Sequence, residues 1–492
     1  APGPFDEKID ADTSLSIRRE IRGTQGGRGE VTFSDLRLIN AEGDLDALVD
    51  YGFDGRQIIG WVLPGSASPW ADREMLFTAT MGPASFDLLG IDIPIRDRLA
   101  ELEQPLHRNT YDGSNSLPDG LEGTPDDIKG APKPEPEGEV LNAQPPFVNT
   151  SRLIWEFAAG DREADVTGVF EGGIALTRGT DYTSQSDMES NAPAAGEYRV
   201  WPRSGSPLEG GYFRLGNSPT HTITCDIEAG AAPGDRTVGQ VLQALALRAP
   251  TISSGDINGT DVSDLDSVLP DPIGDWRPNE ENILRSMDTI ARGANVWFGF
   301  DRQGVLRMGL WDAPASPVAT FKQADAARKE LLADGEFDIA TLEGEPTQDS
   351  DLPVYDVTVR YRRNYTRQAD LQTNLSEARR ALVEQEWRRA TAADTSVQNK
   401  HENARKVDLD SPWADETGAQ DAADRTLARD KINRRRWRTL VSNDEGLASA
   451  VDLGDSITLD FPRLDLNGGK DHRVFRIEYD LALGTIDYGV WG

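Results

Sequence analysis

The sequence predicts an α+β fold that is rich in strands and divided into several domains, and three observations support this. Short segments that alternate apolar and polar side chains recur along most of the 492 residues, the pattern of half-buried strands. Two capped amphipathic helices stand near the middle of the chain. A hairpin rich in Trp and Phe follows them. We therefore expect antiparallel β-barrel or β-sandwich modules together with a two-helix and hairpin unit.

Changes in pattern and composition divide the chain into five segments. Its length accommodates about three to four domains, and one segment is an arm rather than a domain. The segments are an N-terminal β domain (1–107), a Pro- and Gly-rich arm (108–149), a small antiparallel β module (150–232), a helix-helix-hairpin domain (233–320) and a C-terminal α+β domain (321–492).

The first segment contains the signals of strands and tight turns. Residues 31–38 alternate apolar and polar side chains, and Asp54-Gly55 marks a turn. A further strand pair is predicted at 75–81 and 85–89. Residues 95–103 place Ile and Leu side chains on one helical face, which predicts a short helix.

The second and third segments differ in proline content. Pro134 and Pro136 have no N–H for a ladder, so 133–138 is predicted to be extended. We favour an ordered arm that lies against a neighbouring molecule, with an ordinary surface loop as the alternative. The module that follows reads as a small sandwich or barrel, because Gly, Pro and Ser clusters separate its predicted strands at short intervals. These strands are 151–157, 173–176, 197–201, 211–215 and 221–227.

Capping signals define the helical unit. Thr237 with Gln240 resembles a capping box, and Pro250 ends the first helix. An acidic loop is expected over 251–275. Asn279 is the expected cap of the second helix, and Gly293 its C-terminal stop.

The last segment mixes helices with strands. A short helix is expected near 322–332, and residues 354–361 form the clearest alternating strand of the chain. The 4-3-4 spacing of apolar residues over 371–390 predicts a helix with a packing seam. A further helix is expected over 417–433. Three strands close the chain, at 456–461, 474–479 and 484–491.

The net charge of −33 makes a nucleic-acid reader an unfavourable hypothesis, since such proteins cluster Lys and Arg. Three explanations of the acidity stay open: solubility, a saline environment, or a conduit that repels DNA. The single cysteine, Cys225, rules out an internal disulfide. No run of about 18 apolar residues is present, so no stable membrane insertion is expected.

The sequence contains no recognisable catalytic motif, and we expect a protein that is not an enzyme and binds no cofactor or metal. The four histidines are far apart and in no metal-binding spacing: His107, His221, His401 and His472. Residues 256–261 only partly match a calcium loop, because Thr260 replaces a ligand.

Two basic runs and four aromatic residues have both a structural and a functional interpretation. The runs, at 379–389 and 434–438, are solvated faces paired with acids, or a patch that binds an acidic face of another copy. The aromatic residues of the third segment are core residues, or stacking platforms of a glycan-binding module: Trp155, Tyr198, Trp201 and Tyr212.

Several strings, in order along the chain, resemble tail-tip (baseplate) proteins of long-tailed, siphovirus-like bacteriophages. They are 31–56, 129–142 (KGAPKPEPEGEVLN), 297–304 (WFGFDRQG), 360–366 (RYRRNYT), and the ending from 451–456 (VDLGDS) to 489–492 (GVWG). The helix-helix-hairpin unit is also similar to one domain of the late-control or baseplate-hub family.

The resemblance implies a virion structural protein, a hub that closes the tail tube and opens for DNA ejection. It implies a homo-oligomer, with a trimer favoured and a hexamer as the alternative. Implied partners are the distal tail protein, the tape measure and the tail fibre of the host-attachment apparatus, with DNA only in transit. The implied location is the tail tip of a particle assembled in the bacterial cytoplasm. The alternatives are a distal-tail ring protein, and a tail-associated cell-wall hydrolase or glycan-binding module.

Overall fold

The computed structural model is β-rich, with several sheets and interspersed helices, as the fold class predicts. It describes residues 8–9, 16–21, 25–33, 36–62, 69–323, 335–346, 351–442, 450–480 and 484–492. The helix expected near 322–332 lies almost entirely outside the described residues, and Lys322 itself ends a strand.

The strands, in chain order, are β1 (Ser16–Ile21), β2 (Gly27–Phe33), β3 (Leu36–Ile39), β4 (Gln57–Val62), β5 (Glu74–Met81), β6 (Ser85–Phe86), β7 (Gly90–Ile93), β8 (Ile95–Arg96), β9 (Glu137–Ala143), β10 (Phe147–Asn149), β11 (Ile154–Glu156), β12 (Ala164–Glu171), β13 (Ile174–Ala175), β14 (Thr177–Arg178), β15 (Glu197–Trp201), β16 (Tyr212–Leu215), β17 (Ile223–Ala229), β18 (Gly274–Asp275), β19 (Val296–Phe300), β20 (Leu306–Leu310), β21 (Ala319–Lys322), β22 (Glu336–Gly344), β23 (Val354–Tyr361), β24 (Arg388–Ala393), β25 (Arg405–Asp410), β26 (Arg436–Ser442), β27 (Ser456–Asp460), β28 (Lys470–Asp480) and β29 (Thr485–Trp491). The α-helices are α1 (Gln185–Ser190), α2 (Val238–Ala246), α3 (Gly259–Val268), α4 (Ile283–Gly293), α5 (Glu377–Glu384), α6 (Thr395–Lys400) and α7 (Glu416–Asp430).

The C-terminal strands close a six-stranded barrel in the order β27, β21, β22, β26, β29 and β28. The barrel is mixed, because β21 runs parallel to both of its neighbours. Strand β28 pairs on one side with β29, and on the other side first with β27 and then with β1. It therefore joins the barrel to β1, β2, β19 and β20, which continue the same sheet.

The third segment forms a sandwich of two five-stranded sheets around one apolar cluster. Strand β9 lies inside one of these sheets, between β17 and β18. The extended stretch predicted over 133–138 therefore becomes a strand at Glu137, directly after Pro136, the last proline before it. The arm is ordered, and it packs on its own chain: the buried Tyr111 donates a hydrogen bond to the buried Glu156.

The helices of the fourth segment share one large core with β23, β24 and α7. The expected acidic loop at 251–275 contains α3, a helix whose short apolar stripe is confined to two buried residues. The side chain of Asn258 accepts hydrogen bonds from the N–H groups of Thr260 and Asp261 and so begins that helix. The helix was not predicted, because the acidic composition of this segment indicated a loop.

Two cap predictions for α4 were wrong by a few residues. The cap is Asn282 and not Asn279, because the Asn282 carboxamide accepts the Arg285 N–H at 2.8 Å. Gly293 is the last helical residue, and the left-handed conformation occurs at Asn295, with φ of 55°. A short polar side chain tolerates that conformation.

The helix predicted over 371–390 was also wrong in extent. Ser376 caps a helix that spans Glu377–Glu384 only, and Arg388 begins β24. Leu371 and Leu375 precede that cap, and they lie next to Gly173 of the sandwich. The apolar spacing thus reflects two separate contacts and no helical seam. Helix α7 confirms the prediction over 417–433, and the helix expected at 95–103 is a 3-10 turn over Arg98–Leu102.

A buried ionic network ties the arm to the helical unit. Arg248, after the end of α2, donates to Glu135 at 2.7 Å and also to Glu137, and all three side chains are nearly inaccessible to solvent. Arg162 provides a second partner for Glu137 at 2.8 Å. Burial raises the pKa of Glu135, and the Arg248 charge opposes that rise.

Candidate interaction surface

The histidines do not converge on a site. His107 hydrogen-bonds the Arg277 carbonyl at 3.0 Å, and burial is the main cause that lowers its pKa. His472 is buried against the Lys470 carbonyl, and burial lowers its pKa to about 4. Across the part of the chain that the structure describes, no group of three His, Cys, Asp or Glu residues is arranged to hold a metal ion.

The acidic side chains of residues 256–261 are already engaged within the chain. Asp256 pairs with Arg98 at 3.0 Å. Asp261 accepts from the Arg307 guanidinium at 2.6 Å and from the Met308 N–H. Asp256 thus contacts the 3-10 turn over Arg98–Leu102, Asp261 connects α3 to the hairpin, and the two carboxylates do not surround a cation.

Of the four aromatic residues proposed as stacking platforms, Trp155 and Tyr198 belong to the sandwich core, whereas Tyr212 and Trp201 belong to a second apolar cluster that includes Tyr111 of the arm. Trp155 stacks between Phe147 and Phe213, with ring centroids 4.1 and 5.6 Å apart. Tyr198 and Tyr212 are buried as well, and only Trp201 is half-buried. A glycan would have to open the protein to reach Trp155, Tyr198 or Tyr212, so the structural interpretation holds for these three.

Most of the second basic run pairs inside the barrel region. Arg436 contacts Asp351 at 2.9 Å, Arg438 contacts Asp487, and the Arg434 guanidinium lies 4.8 Å from the Trp491 ring centre. Arg436 and Arg438 are therefore paired with acids, as the structural interpretation of this run predicts.

Two of the strings that resemble tail-tip proteins meet in a buried polar junction. The Asn142 amide donates to the Asn364 side-chain oxygen at 2.7 Å and to the Thr366 carbonyl at 2.7 Å. Gln368 joins them by donating to Asn142 at 3.2 Å. Segments more than 200 residues apart are thus fixed to each other by hydrogen bonds between buried polar side chains.

Two more of these strings meet at a second junction. Gly454 adopts φ of +81°, and a Cβ on it would lie 2.6 Å from the Trp297 ring. The buried Arg19 of β1 bridges the same strings, because it pairs with Asp452 and donates to the Phe300 carbonyl at 3.3 Å. At both junctions the residues hold distant parts of the backbone in place.

The clearest candidate for a contact surface is the tip of the small sheet formed by β3, β7 and β6. Its apolar side chains are turned to solvent, and we call Tyr51, Phe86, Leu88 and Leu89 the apolar tip. Leu88 is 93% exposed and Leu89 is 65% exposed. Edge-to-face contacts of the buried Phe53 with Tyr51 and Phe86 hold the rings of the tip together.

A salt-bridged turn presents the apolar tip rigidly. The Asp87 carboxylate accepts the N–H groups of Leu89 and Gly90 at 2.7 and 2.8 Å. Arg37 donates to Asp87 and to Asp92, at 2.6 Å each. The Arg37 hydrogen bond is the main cause that lowers the pKa of Asp87. Apolar side chains held in this way at a surface are typical of contact sites between proteins.

The apolar tip was not predicted, because the pattern over 85–89 indicates a continuous strand. The structure breaks that strand after Phe86, turns at Asp87–Leu89 and resumes at Gly90. The available signal was the Asp at position 87 followed by two leucines and a glycine. Asp87 caps the turn. Position 90 requires glycine, because a Cβ there would clash with the Leu38 carbonyl.

No protein-family model and no curated protein matches the chain. Among solved structures, it is similar to a tail protein from Neisseria meningitidis MC58, with 10% identity, a TM-score of 0.43, and coverage of 97% of this chain and 91% of that one. A 43 kDa tail protein of prophage MuSo2 from Shewanella oneidensis has 11% identity and a TM-score of 0.38, with 100% and 96% coverage. A chain of a native gene transfer agent virion has 14% identity and a TM-score of 0.44, with 80% and 91% coverage. These similarities are remote, and they establish neither a family nor a function for this chain.

Among the described residues, no helix is both long enough and apolar enough to cross a membrane.

Proposed function

We propose that the chain is a structural component of a phage tail, with no catalytic activity, and that it acts as the hub of the tail tip. The observation that carries the proposal is the meeting of the tail-tip-like strings at the two junctions. Asn142 with Asn364, and Trp297 with Gly454, are scaffold contacts that preserve a shape. The descriptions of the remote structural neighbours agree with this proposal, which does not depend on them.

In this role the chain closes the end of the tail tube, contacts the distal tail protein, the tape measure and a tail fibre, and opens for DNA ejection. Copies assemble around the tail axis, as a trimer in our proposal. The apolar tip supports assembly, because a rigid turn that exposes Leu88 and Leu89 is costly in water unless a partner covers it. A ring of six copies would cover the apolar tip equally well. The distal-tail ring protein, a hexamer, is therefore the second candidate for the same particle.

Gold-labelled antibodies against the chain, applied to purified particles, test the location. We expect label at the tip of the tail, and the number of gold particles per tail separates a trimer from a hexamer. Label on the capsid or on free protein only would refute the proposal, as would normal tails in particles that lack the chain.

Substitution of the apolar tip tests its role in assembly. The variant Leu88→Ser with Leu89→Ser is expected to fold normally, because both side chains are mostly exposed. It is expected to be lost from particles, because the apolar contact with the partner is removed. Leu464→Ser is the matched control, since Leu464 is 63% exposed on another surface. Equal incorporation of the two variants would show that the apolar tip makes no essential contact.

A further inference from the structure

A cleft beside α5 gathers positive charge that the described residues neutralise only in part. Its cavity has a volume of about 130 Å³, and it is lined by Arg362, Ala378, Ala381, Leu382, Gln385, Trp387 and Arg388. Arg362 follows β23 in a left-handed conformation with φ of 49°, and Arg388 begins the neighbouring strand β24. Strand pairing of Tyr361 with Arg388 fixes the two arginines next to each other.

Within the described residues, neither of these two arginine side chains has a hydrogen-bond or ion-pair partner. The Nε atom of Arg362 is buried and unsatisfied. Arg379 is adjacent: its guanidinium lies 3.8 Å from the Phe170 ring centre, and its Nη2 atom is also buried and unsatisfied. Buried guanidinium N–H groups without acceptors are unfavourable, and a ligand that accepts hydrogen bonds would satisfy them.

Within the part of the chain that the structure describes, the carboxylate that interacts with these arginines is that of Asp226. Asp226 interacts with the charges of Arg362, Arg379 and Arg388, and it already accepts the Asn142 N–H at 2.8 Å. Burial lowers the pKa of Arg388, and the neighbouring arginine charges lower it further. Three guanidinium groups against one carboxylate leave two positive charges in excess.

The size and walls of the cleft define the ligand. A water molecule occupies about 30 Å³ of liquid, so the cleft holds a carboxylate with two or three waters. Pockets for small-molecule ligands usually measure about 300–1,000 Å³. This cleft is smaller than that range, so a whole small-molecule ligand is too large for it. Apolar atoms of Ala378, Leu382 and Trp387 can contact the methylene stem of an Asp or Glu side chain.

We propose that this cleft binds an Asp or Glu side chain from a second copy of the chain, with Arg362 and Arg388 as the binding residues. The charge balance favours a copy as the partner. Each copy carries 84 Asp and Glu residues against 51 Lys and Arg, so two copies repel each other over most orientations. A cleft with excess positive charge is where contact between them is least opposed. This inference rests on the self-assembly in the proposed function, and it names the contact.

Sedimentation equilibrium of the full chain at about 0.15 M salt, where charges are screened beyond about 8 Å, measures the association directly. We expect the double variant Arg362→Gln with Arg388→Gln to raise the dissociation constant at least about tenfold, since each lost charged hydrogen bond has a large effect. The matched control is Arg389→Gln. Arg389 is exposed on the opposite face of β24 and does not line the cleft, so a change below about threefold is expected.

Competition identifies the ligand chemistry. A tetraglutamate peptide is expected to dissociate the wild-type oligomer, and a tetraglutamine peptide is not. If the double variant melts at a lower temperature than the wild type, its weaker association could reflect a damaged fold. In that case the peptide competition, which uses only the wild type, tests the inference. A wild type that stays monomeric, a double variant that associates like Arg389→Gln, or an oligomer insensitive to tetraglutamate would each overturn the inference. Absence of the chain from gold-labelled tails would refute the proposed location without affecting this result.

Discussion

Removal of Arg248 is the most informative perturbation of the fold. Its guanidinium is the charged partner of Glu135, and both side chains are about 95% or more inaccessible. In Arg248→Met, Glu137 keeps the Arg162 contact at 2.8 Å, whereas Glu135 keeps only a long N–H contact from Arg108 at 3.5 Å. Methionine preserves most of the buried volume, so the loss comes from an uncompensated charge.

Breaking a buried ion pair on one side destabilises a protein by about 3–5 kcal/mol. For a cooperative unit of about 150–250 residues, each kcal/mol lowers the melting temperature by about 2–4 °C. We therefore expect Arg248→Met to melt roughly 6–20 °C below the wild type at pH 7, followed by near-UV circular dichroism or calorimetry. The control is Arg285→Met, whose side chain is 78% exposed and pairs with Glu281, and a shift of about 1–2 °C is expected there.

Two further measurements check the cause. Burial places the folded pKa of Glu135 above its unfolded value, so its contribution to stability is present at low pH and lost as pH rises through the folded pKa. The deficit of Arg248→Met should therefore shrink on acidification from neutral pH, and the added change Glu135→Gln should restore much of the stability at pH 7. A melting temperature within about 2 °C of the Arg285→Met control would refute the reasoning.

Three other predictions concern the core and its pH dependence. Burial raises the pKa of Asp97 to about 7, so its contribution to stability is lost as pH rises through 7, and melting curves should show a smaller pH slope for Asp97→Asn than for the wild type. Trp155→Ala should destabilise the sandwich by about 3–5 kcal/mol in chemical denaturation, because the ring stacks on Phe147 inside the core; retention of full stability would contradict that packing. Gly138→Ala should reduce the yield of soluble protein, since φ is +66° and a Cβ would lie 1.9 Å from the Ile273 carbonyl oxygen. Gly130→Ala is the control for backbone strain alone, because Gly130 has φ of +81° and open space around it.

Local patterns in the sequence were sufficient for elements whose burial repeats with a regular period. Residues 354–361 alternate and form β23, and the Thr237 cap and stripe form α2. Local patterns were insufficient where a tertiary contact decides the structure. The helix predicted over 371–390 was too long because Leu371 and Leu375, which pack on the sandwich, have a spacing that resembles that of a helix. Helix α3 was not predicted, because its buried stripe is short and its start depends on one asparagine.

The candidate surfaces were partly accessible from the sequence. The run at 379–389 was a visible basic segment, and the structure shows that Arg388 lines a cleft whereas Arg389 does not. That distinction needs the pairing of β24 with β23, which no local pattern reveals. The apolar tip depends in the same way on a turn whose geometry is fixed by Asp87 and Arg37.

The position of β28 between the barrel and β1 has a consequence for synthesis. Ser16 pairs with Asp480, so β1 cannot pair with β28 until the residues up to Asp480 have left the ribosome. At about 5–20 residues per second, that delay lasts roughly 20–90 s, during which β1 and β2 have an unpaired edge exposed to other nascent chains. Translation arrested before residue 470 yields a polypeptide that cannot close its barrel, because β28 and β29 are then missing.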